Sequence, residues 1–114
     1  MTKKTTLYRP INEKELELIM ALDYQGFPPR LPEQPFFYPV MNEAYATQIT
    51  RDWNVPAYGI GYVVKFDVDT DYLEQFEVQN VGGPIHNELW VPAEQMEEFN
   101  RHILGKIEVV SEFK

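Results

Sequence analysis

Apolar and polar positions alternate along Tyr58–Asp67. Tyr58, Ile60, Tyr62, Val64 and Phe66 fall on one set, and Gly59, Gly61, Val63, Lys65 and Asp67 on the other. A period of two is that of a strand lying on a core. Thr5–Arg9 is β-branched and aromatic and stops at Pro10, so it reads as a short strand. Phe76–Val81 and Ile85–Val91 form two more, with a turn at Gly82-Gly83. Lys106–Phe113 closes the pattern, with Ile107, Val109 and Phe113 on one side. The apolar faces of Tyr58–Asp67 and Lys106–Phe113 predict that both lie inside the sheet.

Elsewhere the period lengthens to that of a helix. Asn12 followed by Glu15 is a capping-box arrangement, and Leu16, Ile19 and Met20 continue it, predicting a helix over 12–23 that Gly26 ends. Asn42 opens a second helix, with Tyr45, Ile49 and Trp53 four residues apart on one face. Pro92 suits a first helical position, and Met96, Phe99 and Ile103 form the stripe of a third helix, 92–104, stopped by Gly105. Tyr72–Gln75 reads as one helical turn. Between the first two helices, Pro28, Pro29, Pro32, Pro35 and Pro39 forbid helix and favour an extended wrap. Phe36–Tyr38 there suits a short edge strand, and Phe36 and Phe37 should bury at least one ring. The order β-α-(β)-α-β-β-β-α-β predicts an α+β domain with a mainly antiparallel, split sheet and about three helices.

The chain has 114 residues, the length of a single domain spanning 1–114. It contains no cysteine, which excludes disulfides, thiolate metal sites and cysteine nucleophiles, and it fits a cytoplasmic setting. No apolar run suffices to span a bilayer, and the N-terminal segment has no apolar region behind Lys3 and Lys4. Net charge is −8, and the basic residues are scattered. Without a basic stripe, nucleic acid is not an expected partner. The acidic residues gather in 67–77 and 94–98.

Candidate chemistry is sparse. Asp67, Asp69 and Asp71 resemble the opening of a calcium loop, but Tyr72 stands at its glycine position and Val78 at its closing glutamate. His86 and Glu88, at strand spacing, are two ligands at most, so no metal site is expected. Alternation puts His86, Glu88 and Trp90 on one side of their strand and Leu89 and Val91 on the other. A carboxylate between a histidine and a tryptophan is a candidate base or charge stabiliser, and Glu88 is the sharpest catalytic candidate.

The stretches LYRP, FPPRLPEQPFFYPVMNEAYATQITRDW and GGPIHNELWVPAEQMEEFNRHILGKIEVV resemble a family of small bacterial proteins often labelled ADP-ribosylation/J-crystallin. The paired magnesium-holding aspartates of ADP-ribosylglycohydrolases are not here. The element order is instead similar to that of ADP-ribosyltransferase-like domains, whose first strand carries Tyr-Arg and whose late strand carries a glutamate. That resemblance implies a cleft for NAD or an ADP-ribosyl compound. Arg9 would hold a phosphate or ribose oxygen, Tyr38 would stack on nicotinamide, His86 would touch the ligand, and Glu88 would stabilise the anomeric cation. The Ser-Thr-Ser motif of those enzymes is absent. The alternative is a non-catalytic interaction module that meets a basic protein partner through its acidic face or proline loop. Without a ligand, Arg9 and Glu88 are expected to pair with each other.

Overall fold

The computed structural model describes residues 3–30, 33–80 and 87–114. Its radius of gyration, 13.4 Å, matches the roughly 13 Å of a compact domain of this length. Strand β1 (Lys4–Ile11) leads into α1 (Glu13–Ala21), then β2 (Phe36–Phe37) and α2 (Glu43–Ile49). A π-helical turn over Thr50–Asn54 joins α2 to α3 (Val55–Tyr58). Then come β3 (Gly61–Asp69), α4 (Thr70–Leu73), β4 (Glu77–Asn80) and β5 (Asn87–Pro92). A 3-10 turn at Ala93–Gln95 opens α5 (Met96–Arg101), and β6 (Ile103–Phe113) follows.

The strands form two antiparallel sheets of three, ordered β1-β3-β6 and β2-β5-β4. One residue joins them. Val40 exchanges backbone hydrogen bonds with Tyr8 of β1, at 2.9 and 2.7 Å, and bridges Glu88 of β5 on its other side. Its neighbours complete the seam, with Leu89 N–H donating to the Pro39 carbonyl (2.9 Å) and Met41 N–H to that of Asn87 (3.1 Å). The fold is therefore α+β with a split antiparallel sheet.

Helices cover both faces. On one, Ile19 of α1 and Met96 and Phe99 of α5 pack over Leu7, Phe37, Phe66, Leu89 and Val91. The proline segment crosses this face and buries Phe27 and Phe37, whose rings lie 4.9 Å apart, with Phe66 at 4.8 Å from Phe27. On the other, Tyr45 and Ala46 of α2 close over Val40 and Val63, with Tyr8 beside them.

Several boundaries depart from the periodic reading, each for a physical reason. Trp53 is not on the buried stripe of α2; it is 72% exposed. The π turn closes over five residues, with Val55 N–H donating to the Thr50 carbonyl, so Asn54 takes the place below Ile49. The fully buried Thr50 bonds the Ala46 carbonyl at 2.8 Å. A side chain at Gly61 would sit 2.6 Å from the Thr50 methyl, so β3 starts where only glycine fits. Tyr58 thereby remains in α3 and is exposed.

Pro92 ends β5 in extended backbone rather than opening a helix, and α5 stops at Arg101 because Ile103 already pairs with Val68. Gly105 is not a helix stop. It sits within β6 at φ 83°, beside a register irregularity opposite Lys65 and Asp67. A second irregularity, at Val63 and Val64, offsets the closing strand, so Val109 is exposed while Ile107 is buried. β3 is the central strand of its sheet, whereas β6 pairs only with β3 and forms an edge. Helix α1 ends at Ala21, well before Gly26, and Asp23 and Tyr24 just beyond its cap adopt left-handed backbone (φ 56° and 58°). Within the proline segment, Leu31 and Pro32 lie outside the described residues, as do the Gly82-Gly83 turn, Val81, Ile85 and His86.

If Val40 is the seam, Val40→Pro should leave the Tyr8 carbonyl without its partner and cost about 1–3 kcal/mol. Urea denaturation should show a lower midpoint with two-state behaviour retained. An unchanged midpoint would show that the two sheets hold together without it.

Candidate functional site

Strand alternation decides which candidate residues meet. Leu7, Arg9 and Ile11 of β1 share the face toward Phe37, while Tyr8 faces α2. On β5, Leu89 and Val91 point into the main core, and Glu88 and Trp90 point the other way. Arg9 and Glu88 therefore occupy opposite faces of the sheet. The expected Arg9–Glu88 pair does not form, and the two share no cleft.

Arg9 is held from two sides. Its Nε and a terminal nitrogen donate to the two oxygens of Glu15, at 2.6 and 3.0 Å, and its guanidinium lies 4.5 Å from the Phe37 ring centre. Both side chains are largely buried, at 12% and 18% exposure. Half of the expected capping box is present: Glu15 N–H donates to Asn12 Oδ1 at 2.8 Å. The Glu15 carboxylate turns to Arg9 instead of completing it. Arg30 approaches the same ring at 5.7 Å and donates from Nε to the Phe36 carbonyl (3.1 Å). Burial, then the charge of Arg9, lowers its pKa.

Glu88 accepts a 2.7 Å hydrogen bond from the Tyr45 hydroxyl. Burial first, and then this bond and the carboxylate's charge, push the Tyr45 phenol up to about 12. Tyr38 lies on the same side of the sheet as Glu88, but its ring packs at a steep angle on Trp90, with centres 5.4 Å apart. His86 lies outside the described residues. Asp67 is occupied by Thr6 and Lys4, and Asp69 caps α4 by accepting from Asp71 N–H. Among the described residues no cluster of His, Asp and Glu is arranged to hold a metal ion. No described helix is long and apolar enough to cross a membrane.

Three recesses, and a smaller one beside Lys65, Lys106 and Glu108, indent the surface of the described residues. The largest, about 500 Å³, runs between the proline segment and α5, over Leu22, Phe27, Pro29 and Met96, with Glu94 and Glu97 on its rim. A second, about 350 Å³, is lined by Phe36, Phe76, Glu77 and Trp90. The third, about 280 Å³, lies beside Glu15, Pro28 and Arg30. Arg9, Tyr38 and Glu88 line none of the three. The groove at α5 was not foreseen as a site. Its signal in the sequence is the pairing of the acidic run at 94–98 with an aromatic proline segment, two features distant along the chain.

Two outcomes follow. Arg9→Met and Glu15→Gln should each destabilise the fold by about 3 kcal/mol, and the double variant should cost much less than their sum. Full additivity in a denaturation cycle would show that the pair is not coupled. For Tyr45, the folded-state pKa lies above that of a free phenol, about 10. Its contribution to stability is thus complete below pH 10 and is lost as pH rises toward 12. Tyr62 and Tyr72, raised mainly by burial, add to the same loss. Tyr45→Phe should flatten the stability profile across this window, and an unchanged profile would remove Tyr45 from the account.

No family model, curated protein or solved structure matches the chain, so its architecture and side-chain geometry carry the functional reading.

Proposed function

We propose that this protein is a non-catalytic interaction module, and that its groove between the proline segment and α5 receives a basic, partly apolar segment of a protein partner. The observation that carries this reading is the composition of the groove. Leu22 is 44% exposed beside buried Phe27 and Met96, so an apolar floor is open to solvent. The rim is acidic: Glu94 has no cationic partner among the described residues, and Glu97 and Glu98 share Arg101, with the His102 ring 3.6 Å from Glu98. An apolar anchor with flanking lysine or arginine would fill the floor and meet the rim, and the net charge of −8 would draw such a partner in. The floor is positioned by fixed contacts, because the Asn100 amide bonds both the N–H and the carbonyl of Phe27, at 2.9 and 3.0 Å.

A second reading keeps the ADP-ribosyltransferase-like cleft with NAD. It draws on the orientation of the Glu88 carboxylate by Tyr45. It loses the phosphate-holding role of Arg9, which is committed to Glu15 on the other face.

A short peptide of alternating leucine and lysine should bind saturably, shifting the Met96 methyl resonance. Glu94→Lys with Glu97→Lys should weaken it about tenfold or more, as should raised salt. NAD and ADP-ribose should give no saturation-transfer signal. Binding that ignores the charge reversal would overturn the groove reading. Saturable NAD binding with turnover lost in Glu88→Gln would establish the second reading in its place.

A further inference from the structure

We infer that the recess lined by Phe36, Phe76, Trp90 and Glu77 is a binding site for an alkylated ammonium group. The sheet register assembles it. Glu77 of β4 pairs with Trp90 of β5, and residues directly opposite in an antiparallel ladder project to the same face. Phe36 of β2 pairs with Pro92, two residues on from Trp90 and therefore on that face too. Phe76, just before β4, is set by its N–H bond to the Leu73 carbonyl (3.0 Å) and by the Tyr72 ring at 5.3 Å. Phe36 at 5.6 Å and Tyr38 at 5.4 Å pack against Trp90 and fix the indole.

Two observations select the ligand. The first is Trp90 itself. Its indole N–H is buried and has no hydrogen-bond partner among the described residues. An unsatisfied buried donor costs about 1–3 kcal/mol, which phenylalanine or leucine would avoid. What tryptophan adds in return is the ring face that attracts cations most strongly. The second is Glu77. Its carboxylate accepts only from the Gln79 amide (2.6 Å), and no lysine or arginine pairs with it among the described residues. Among the described residues no cation lines the recess, whose volume is about 350 Å³. Three aromatic rings and one carboxylate without a counter-ion suit a positive charge spread over methyl groups. Such a charge sheds its water cheaply and keeps apolar contact with the rings, whereas a metal ion or a plain ammonium holds its hydration shell more strongly. The group could be the head of a free small molecule of choline type or a methylated lysine on a polypeptide.

The inference is independent of the groove at α5, whose reporter is Met96. The test uses a Trp53→Phe variant, which leaves Trp90 as the sole indole. Tetramethylammonium chloride should change its fluorescence saturably, while sodium chloride at matched ionic strength should not. Choline should bind at least tenfold more tightly than its neutral isostere, in which carbon replaces nitrogen. Glu77→Gln, a change at an exposed position, should weaken choline about fivefold, and Phe76→Leu comparably. Peptides with trimethylated and unmodified lysine separate the sources: a gain on methylation beyond the affinity for choline assigns the site to a polypeptide, and no such gain assigns it to a free amine. Equal binding of choline and its neutral isostere, or the absence of saturation, would overturn the inference.

Discussion

Everything in this fold depends on Val40. Two three-stranded sheets come from interleaved parts of the chain, and the backbone of Pro39–Met41 runs between them as the only thread among the described residues that hydrogen-bonds both β1 and β5. The segment can serve this way because it is already extended. Pro39 restricts its own φ and biases the residue before it away from helix, so little entropy is lost when Val40 enters the ladder. The Val40 side chain is then buried under Tyr45 and Ala46, which fastens α2 to the same point.

From that seam follows the separation of the two faces. The face under α1 and α5 is filled with aliphatic and aromatic side chains, and the Arg9–Glu15 ion pair there sets the guanidinium over the Phe37 ring. The pair is structural because its charges satisfy each other and the ring covers one side of the guanidinium. The opposite face carries Glu88 tied to Tyr45, and beyond it the aromatic group around Trp90. Arg9 and Glu88 are thus divided by the thickness of a sheet. The surface offers recesses rimmed with carboxylates, at Glu77 and at Glu94 and Glu97, on which the proposed recognition of cations rests.

Much of the architecture could be read along the chain because the relevant signals are local. Asn12 and Asn42 cap their helices, the alternation of Val64, Phe66 and Val68 builds the central strand, and the prolines enforce an extended crossing. The misreadings arise where tertiary contact overrides period. The π turn at Thr50–Asn54 answers to the close packing of Thr50 on Gly61, a contact between residues whose meeting no periodicity announces. Gly105 has the composition of a helix stop, but β3 draws Ile103 and Leu104 into its ladder first. For the site, the alternation of Glu88 with Leu89 was legible, and so was the side it faces. The partner of Arg9 was not. Glu15 was assigned to a capping box, and only the three-dimensional path of β1 into α1 shows that its carboxylate is nearer to Arg9. The recess at Trp90 depends on register between β4 and β5, which is fixed by backbone pairing rather than by residue type.

The closing strand β6 has a consequence for how the molecule behaves in a crowd of its own copies. Eleven residues long and paired on one side only, it would be a template for fibre growth if it were flat. It is bent twice instead, at the two register irregularities, and Gly105 takes a backbone conformation that breaks the regular row of donors and acceptors. The carbonyl of Tyr24 occupies the outward N–H of Ile107, and Lys106 reaches Asp23 beside it at 3.2 Å. What remains of the rim is curved, carries Lys106, Glu108 and Glu112, and gives a second strand no straight line along which to add. The same irregularities that spoil the apolar alternation of Ile107, Val109 and Phe113 make the edge a poor template for a second strand.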